Sequence, residues 1–412
     1  MDKRRVVVTG VGVVAPNGVG KEAFWQALMQ GLSGVRPIRR FDSHQLPTQI
    51  AGEVLDLDPL QYFEPHELKK VDRSNVLAMA AGLMAVQDSG LDLHRQNLER
   101  MGSSIGNAVC GIEYAQKESD VISQKGPRWG SPYLAIAFFP CGSNGLLSIR
   151  LGMKGPVLTF CNGNTSGTDA IGMAYRMIKG NKADVMLAGG TEAPLIPLFV
   201  GSMSRDGWLS KRNHLPDKAS RPFHRDADGM VLSEGAGLLV LEEYEHAQRR
   251  GARVYGELSA YATANSAFSV FAPEPDGHGI ERTMKDSLQE AGVRPMDVSW
   301  VNSQGLSILE YDRMEERCIR NVFPGGEKGP RVSAISSWIG NPIGALGGIQ
   351  AVASALALER RVIPPHAQQD GSPEEGALPL MRLASGPSDV SAVVQNSFCF
   401  MGKNSSLIFK RV

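Results

Sequence analysis

The stretch from Gly155 to Gly172, GPVLTFCNGNTSGTDAIG, limits the folds open to this chain more than any other. Val157, Leu158, Thr159 and Phe160 read as a buried strand, and a tight polar turn follows. Ala170, Ile171, Ala174, Met177 and Ile178 then recur at the spacing of a helix's buried face. A strand that turns sharply into a helix holds one side chain at the apex, over unpaired N–H groups that favour negative charge. Chains use such an elbow to present an activated nucleophile, most often Ser or Cys. The apex residue here is Asn164. Its amide has no ionisable proton at neutral pH, so it is a poor nucleophile, although Asn tolerates the left-handed backbone of a sharp turn. The elbow reads as kept in shape and emptied of chemistry.

The rest of the chain supplies a sheet for this elbow. Residues 5–9 start a strand, 66–88 and 110–121 read as helices, and 102–109 as a strand and turn. ADVMLAGGTEA (183–193) is a buried strand ending in small residues, a natural neighbour of a strand–elbow–helix. MVLSEGAGLLVLE (230–242) suggests a strand pair around Gly235 and Gly237, and 243–251 a polar helix. After Gly251 the order of elements repeats: strand 254–263, helix 280–291, strand 298–303, helix 310–321, strand 331–335, helix 346–360, and strands 391–397 and 405–410. Two halves are predicted, residues 1–251 and 252–412. The loose G-x-G-x-x-A of Gly10, Gly12 and Ala15 raises a dinucleotide site. Pro16-Asn17-Gly18 argues against it by continuing a turn where the nucleotide-binding helix should begin.

Forty-three basic residues balance 43 acidic ones, so nothing in the charge points to nucleic acid or an anionic membrane. Cys110, Cys141, Cys161, Cys318 and Cys399 lack paired spacing and form no CxxC, which argues against a zinc site or disulfide framework and suits a reducing cytoplasm. No apolar run approaches the roughly 20 residues of a membrane span. Lys3-Arg4-Arg5 before VVVTGVGVVA lacks the cleavage site of a signal peptide. The sequons at Asn164 and Asn404 carry no meaning in a cytoplasmic chain.

GPVLTF before the elbow, ADVMLAGGTEA after it, SRPFHRDADGMVLSEGAGLLVLEEYEHAQRRGA and the closing NSFCFMGKN resemble the β-ketoacyl synthases of the thiolase fold over nearly the whole chain. The resemblance implies an α/β body of five layers, αβαβα, built from two pseudo-repeated βαβαβαββ halves. It also implies a dimer paired across the strand 157–161. Active members carry Cys at the elbow, a His in V-N-A-H-G-T, and a Lys and a second His in S-T-K-S-x-x-G-H. The matching positions here are Asn164, Gln304, Ser336 and Asn341. Condensation needs a thiolate to carry the acyl chain, and imidazoles to polarise the donor thioester and steady the enolate left by decarboxylation. Loss of the whole set reads as a chain freed from catalysis, and it requires that no thiol or imidazole points into the cleft beside residue 164. Cys161, three residues before the apex, has no predicted base and reads as a buried small hydrophobe.

Within the superfamily the chain resembles the chain-length factor of type II polyketide systems. By resemblance it pairs with an active ketosynthase, in a heterodimer or a dimer of heterodimers, and walls off part of the acyl tunnel. Val109, Ile112 and Gln116, with Phe138 opposite, map onto that wall, with plain core packing as the alternative for each. Phe398 and Phe400 map onto a Phe-Gly-Phe-Gly-Gly gating loop in which Cys399 and Met401 replace glycines. Lys69, Lys70 and Arg73 match the helix that meets acyl carrier protein, which would deliver the phosphopantetheine thioester; no cofactor or metal is implied for the chain itself. Two other readings are a malonyl-carrier-protein decarboxylase, which should keep its histidines, and a self-dimerising scaffold.

Overall fold

A computed structural model describes residues 4–205, 207–367, 378–381 and 389–412. The ten main strands among them are β1 (Val6–Ala15), β2 (Met101–Gly106), β3 (Val157–Phe160), β4 (Val185–Glu192), β5 (Gly235–Glu243), β6 (Gly256–Asn265), β7 (Trp300–Asn302), β8 (Arg331–Ser333), β9 (Ala392–Phe398) and β10 (Lys403–Lys410). Their hydrogen-bonded order is β8-β7-β9-β10-β6-β1-β5-β4-β2-β3. Each half repeats one topology. In the first, β1, β5 and β4 pair antiparallel, and β4, β2 and β3 pair parallel. In the second, β6, β10 and β9 pair antiparallel, and β9, β7 and β8 pair parallel. The halves join over a short ladder, Val6–Val8 against residues 256–258.

Helices fill the layers between and outside the strands. α1 (Arg73–Ser89) covers the outer face of the first half. α2 (Ile112–Lys125), α3 (Leu134–Phe138) and α4 (Gly142–Leu151) run between β2 and β3, and α5 (Ser166–Lys179) follows the elbow. α6 (His278–Ala291) and α7 (Leu309–Val322) cover the second half, and α8 (Leu346–Arg360) packs with α5 in the middle layer. The result is the expected αβαβα stack. α8 is buried from Leu346 to Leu358 because strands flank it on both sides.

Several local expectations are corrected. β1 does not stop at Thr9 but runs through both glycines to Ala15. Those glycines let α1 lie against the strand: a Cβ on Gly12 would sit 1.9 Å from the Ala81 carbonyl oxygen, and one on Gly10 2.2 Å from that of Ala85. The G-x-G-x-x-A run is therefore helix–strand packing inside a strand. α1 begins at Arg73 rather than residue 66, because Asp72 caps it by accepting the Ser74 N–H at 2.9 Å while Asn75 accepts the Asp72 N–H. Residues 230–242 give one long strand, β5, preceded by isolated bridges at Met230, Leu232 and Ser233. Strand β3 is half-exposed rather than buried, since it forms the edge of the sheet.

Candidate functional site

The elbow forms as its sequence requires. β3 ends at Phe160, a short turn spans Gly163–Thr165, and α5 starts at Ser166. The left-handed residue is Gly163 (φ 66°), not Asn164 as the apex reading allowed. Asn164 is 4% exposed, and among the described residues its side-chain Nδ2 meets no acceptor.

Three of the four positions that the resemblance matches to reactive residues belong to one hydrogen-bonded chain. Gln304 is buried on the turn after β7. Its Nε2 donates to the Phe398 carbonyl at 2.7 Å, and its Oε1 accepts the Phe398 N–H. Ser336 Oγ donates to the carbonyls of Gln304 and Gly305 at 2.9 and 2.7 Å. Phe398 ends β9, and the next residue, Cys399, meets Asn164: the Asn164 N–H points to Cys399 Sγ at 3.3 Å. The fourth position, Asn341, stands apart. Its Oδ1 accepts the Ile343 N–H at 3.0 Å and its Nδ2 meets Met230 Sδ at 3.1 Å. The turn Ile343–Ala345 then packs against Gly163–Thr165.

A thiol does stand beside residue 164, counter to the expectation, but its sulfur is packed on the Asn164 N–H at the elbow and is not free in the cleft. Cys399 is that thiol, and the sequence reading placed it only as a replaced glycine. It is 7% exposed, and burial pushes its pKa up, so it is held as the neutral thiol rather than the reactive thiolate. Cys161 is exposed rather than buried as expected, because it follows the edge strand β3; it donates to the Ala108 carbonyl at 3.4 Å, and partial desolvation raises its pKa too. An imidazole lies behind the Gln304–Ser336 pair. His366 Nδ1 accepts the Ala334 N–H at 3.2 Å, and Nε2 lies 3.1 Å from the Pro222 carbonyl. Burial drives this ring down to about 4, so it is neutral and occupied at both nitrogens.

Buried carboxyls surround these turns. Glu315 accepts the N–H groups of Gln304 and Gly305 at 2.9 and 3.0 Å, and burial pushes it up to about 7. Asp312, one turn earlier on α7, accepts the N–H groups of Leu306 and Phe223 at 2.8 and 2.9 Å and is pushed by burial to about 8. Glu192, at the end of β4, accepts the N–H groups of Ala108, Val109 and Gly344 and also rises with burial to about 8. Sequence reasoning missed all three. The signal was available: acids at positions 312 and 315 share the buried face of α7 with Tyr311, Met314, Cys318 and Ile319. Among the described residues no cluster of His, Cys, Asp and Glu could hold a metal ion.

The proposed wall and docking residues are partly brought together. Val109, Ile112 and Gln116 are half-buried, and Gln116 Oε1 accepts the Leu198 N–H at 3.4 Å. Phe138 has its backbone against Gly111, the residue before Ile112, but half of its surface is open. Phe398 lies in β9 and stacks on Tyr311, with centroids 6.0 Å apart. Phe400, on the loop proper, packs edge-on against Tyr311 and against Trp208 at 4.6 Å. Lys69 and Lys70 sit on a separate turn, Leu68–Lys70, outside α1. Arg73 is not free for docking. It donates twice to the fully buried Glu234, at 2.6 Å each, and to the Val54 carbonyl at 2.8 Å.

The two repeated strand sets, the middle-layer helix pair and the elbow between them define a thiolase-type fold. The β-ketoacyl synthase N-terminal domain matches residues 3–247 and the C-terminal domain residues 255–370, so the chain belongs to the β-ketoacyl synthase family. It is 38% identical to 3-oxoacyl-[acyl-carrier-protein] synthase 2 of Coxiella burnetii and 37% identical to that of Vibrio cholerae, in each case over 100% of both chains. Among solved structures it is similar to the ketosynthase assembly of AntDE:AntF, a type II PKS acyl-carrier protein in complex with its ketosynthase bound to the hexaketide (TM-score 0.92, 29% identity, 100% of both chains). It is also similar to the ishigamide ketosynthase/chain length factor (TM-score 0.90, 29% identity, 100% of both chains).

Proposed function

We propose that this chain is a non-catalytic, chain-length-factor-like subunit that pairs with an active β-ketoacyl synthase and lends a wall to its acyl tunnel. One observation carries the reading: Gln304, at a position where active members hold an imidazole, spends both ends of its amide on the Phe398 backbone. An amide fixed in this way cannot take up and return a proton as an imidazole does. Asn164, Ser336 and Asn341 are likewise engaged with backbone or buried, and none supplies a thiolate or an imidazole.

The open edge of β3 supports a partner of the same fold. One side of β3 pairs with β2, and β3 ends the sheet's hydrogen-bonded order. Val157 on β3 and Ile149 on α4, which packs against it, are exposed, as are Ile136, Phe138 and Phe139 on and after α3, which packs against α4. An unpaired strand edge flanked by large apolar side chains is a surface built to be covered. Val109, Ile112, Gln116 and Phe138 stand next to this surface, where a chain entering from a partner would end. Lys69 and Lys70 remain available to an acidic carrier protein.

The test is to purify the chain alone and co-expressed with an active β-ketoacyl synthase from the same source. A 1:1 complex by light scattering, with acyl loading confined to the partner, is the expected result. If the isolated chain loads acyl groups or releases carbon dioxide from malonyl carrier protein, the partner-subunit reading is lost.

A further inference from the structure

Four of the five amides from Phe398 to Gly402 are hydrogen-bonded. The Phe398 N–H goes to Gln304, Cys399 N–H to the Lys403 carbonyl at 2.9 Å, Met401 N–H to the Val270 carbonyl at 3.0 Å, and Gly402 N–H to the Cys399 carbonyl at 3.2 Å. The remaining amide, that of Phe400, faces Cys399 Sγ, as does that of Asn164. Cys399 Sγ is so close to the elbow that a Cβ on Gly163 would fall 2.3 Å from it. The sulfur therefore lies against two backbone N–H groups, one of them on the Gly163–Thr165 turn that leads into α5. Two converging N–H groups at a helix start are what an oxyanion needs.

We infer that residues 398–402 are a fixed stopper rather than a gate, with the Cys399 thiol filling the oxyanion nook of the elbow. The nook is closed whatever side chain stands at 164. Asn164 and Cys399 thus disable the site in two separate ways, one by removing the nucleophile and one by capping the donors. The inference does not depend on the chain having a ketosynthase partner.

It follows that N164C alone does not restore acyl transfer. In that transfer a thiolate attacks a thioester carbonyl, a C–S bond forms, and the carbonyl electrons move to oxygen. Collapse then expels the carrier thiolate, which takes up the proton the attacking thiol released. The tetrahedral oxyanion needs the two N–H groups that Cys399 covers.

The experiment compares the full-length N164C chain with N164C/C399G, using octanoyl-N-acetylcysteamine as acyl donor and peptide mass spectrometry to locate the thioester. The double variant is expected to load at position 164 at least 10-fold faster. C399G on the natural background is expected to speed hydrogen exchange of the Asn164 amide at least 10-fold, and thermal melting checks that each variant is folded. Equal loading with and without C399G overturns the inference, as does a thioester on Cys399 of the natural chain, which would make that thiol a nucleophile. Where neither variant loads, the exchange result decides: unchanged protection at Asn164 overturns it.

Discussion

Gln304 grips Phe398 with both ends of one amide, Nε2 to the carbonyl at 2.7 Å and Oε1 to the N–H, across 94 residues of sequence. Both partners are buried, so neither backbone group can turn to water if the clamp is lost. Gln304→Ala should cost about 2–4 kcal/mol, from two buried polar groups left unpaired. Chemical denaturation measures the loss. Hydrogen exchange should rise first at residues 398–402, and uniform loosening of the whole chain would show that the clamp is not what holds that loop.

Met401 holds a left-handed backbone (φ 64°) on the same loop with its side chain 59% exposed. A side chain there costs roughly 1–2 kcal/mol relative to glycine. Met401→Gly should therefore raise stability by about 1 kcal/mol, net of the entropy glycine adds to the unfolded chain. A lower denaturation midpoint in Met401→Gly would mean that the Met401 side chain makes a contact outweighing its backbone strain.

Much of this architecture was legible because hydrophobic period and small residues dominate it. The elbow, β4, α5 and α8 fall close to where their patterns place them, since each is buried on the face its sequence marks. The emptied positions were legible only through long motifs that fix their alignment. Other features depend on contacts distant in sequence, which period cannot report. Gly10 and Gly12 look like a nucleotide turn until α1 is laid across them. Arg73 looks like part of a basic patch until Glu234, 161 residues away, takes it up. Cys399 looks like a spoiled glycine until the elbow is folded against it.

Glu315 gives the chain a pH dependence of defined sign. Its carboxyl is pushed up to about 7 by burial, against about 4.3 for a free glutamate. Between those values the folded chain holds a proton that the unfolded chain has lost. The contribution is fully present below about pH 4 and is lost as pH rises through 7, with a slope of up to ~1.4 kcal/mol per pH unit. His366, driven down to about 4, works in the opposite direction, but only below about pH 6.5. From pH 6.5 to 8 the natural chain should lose stability more steeply than Glu315→Gln, though Asp312 and Glu192 keep some slope in both. Parallel denaturation midpoints across that range would remove Glu315 from the account.

The basic residues before α1 should separate into two kinds. Arg73→Ala strands the buried Glu234 carboxylate and should cost about 3–5 kcal/mol. Lys69 is exposed, and Lys70 lies with its ammonium 5.3 Å from the Tyr133 ring centroid. Reversing both to Glu should change stability by no more than about 1 kcal/mol. If the carrier protein docks on this chain's own copy of the turn, the double reversal weakens that association and makes it less salt-sensitive. Titration of acyl carrier protein at two salt concentrations reads both effects, and unchanged affinity would place docking on the partner alone.

The edge of β3 decides whether the chain acts alone. Val157 is 44% exposed on that strand and Ile149 83% exposed on α4 beside it, an arrangement that leaves apolar surface in water unless something covers it. Charges at these positions meet solvent in the isolated chain, so Val157→Asp with Ile149→Asp should fold with stability within about 1 kcal/mol of the natural chain. Across an interface the same carboxylates would be buried without partners, and each would oppose association by several kcal/mol. Light scattering of the co-expressed pair should then fall from heterodimer to monomer. A natural chain that already forms a stable dimer with itself, abolished by the same two changes, would assign the edge to a second copy. A complex with the ketosynthase that survives both charges would move the interface to another face.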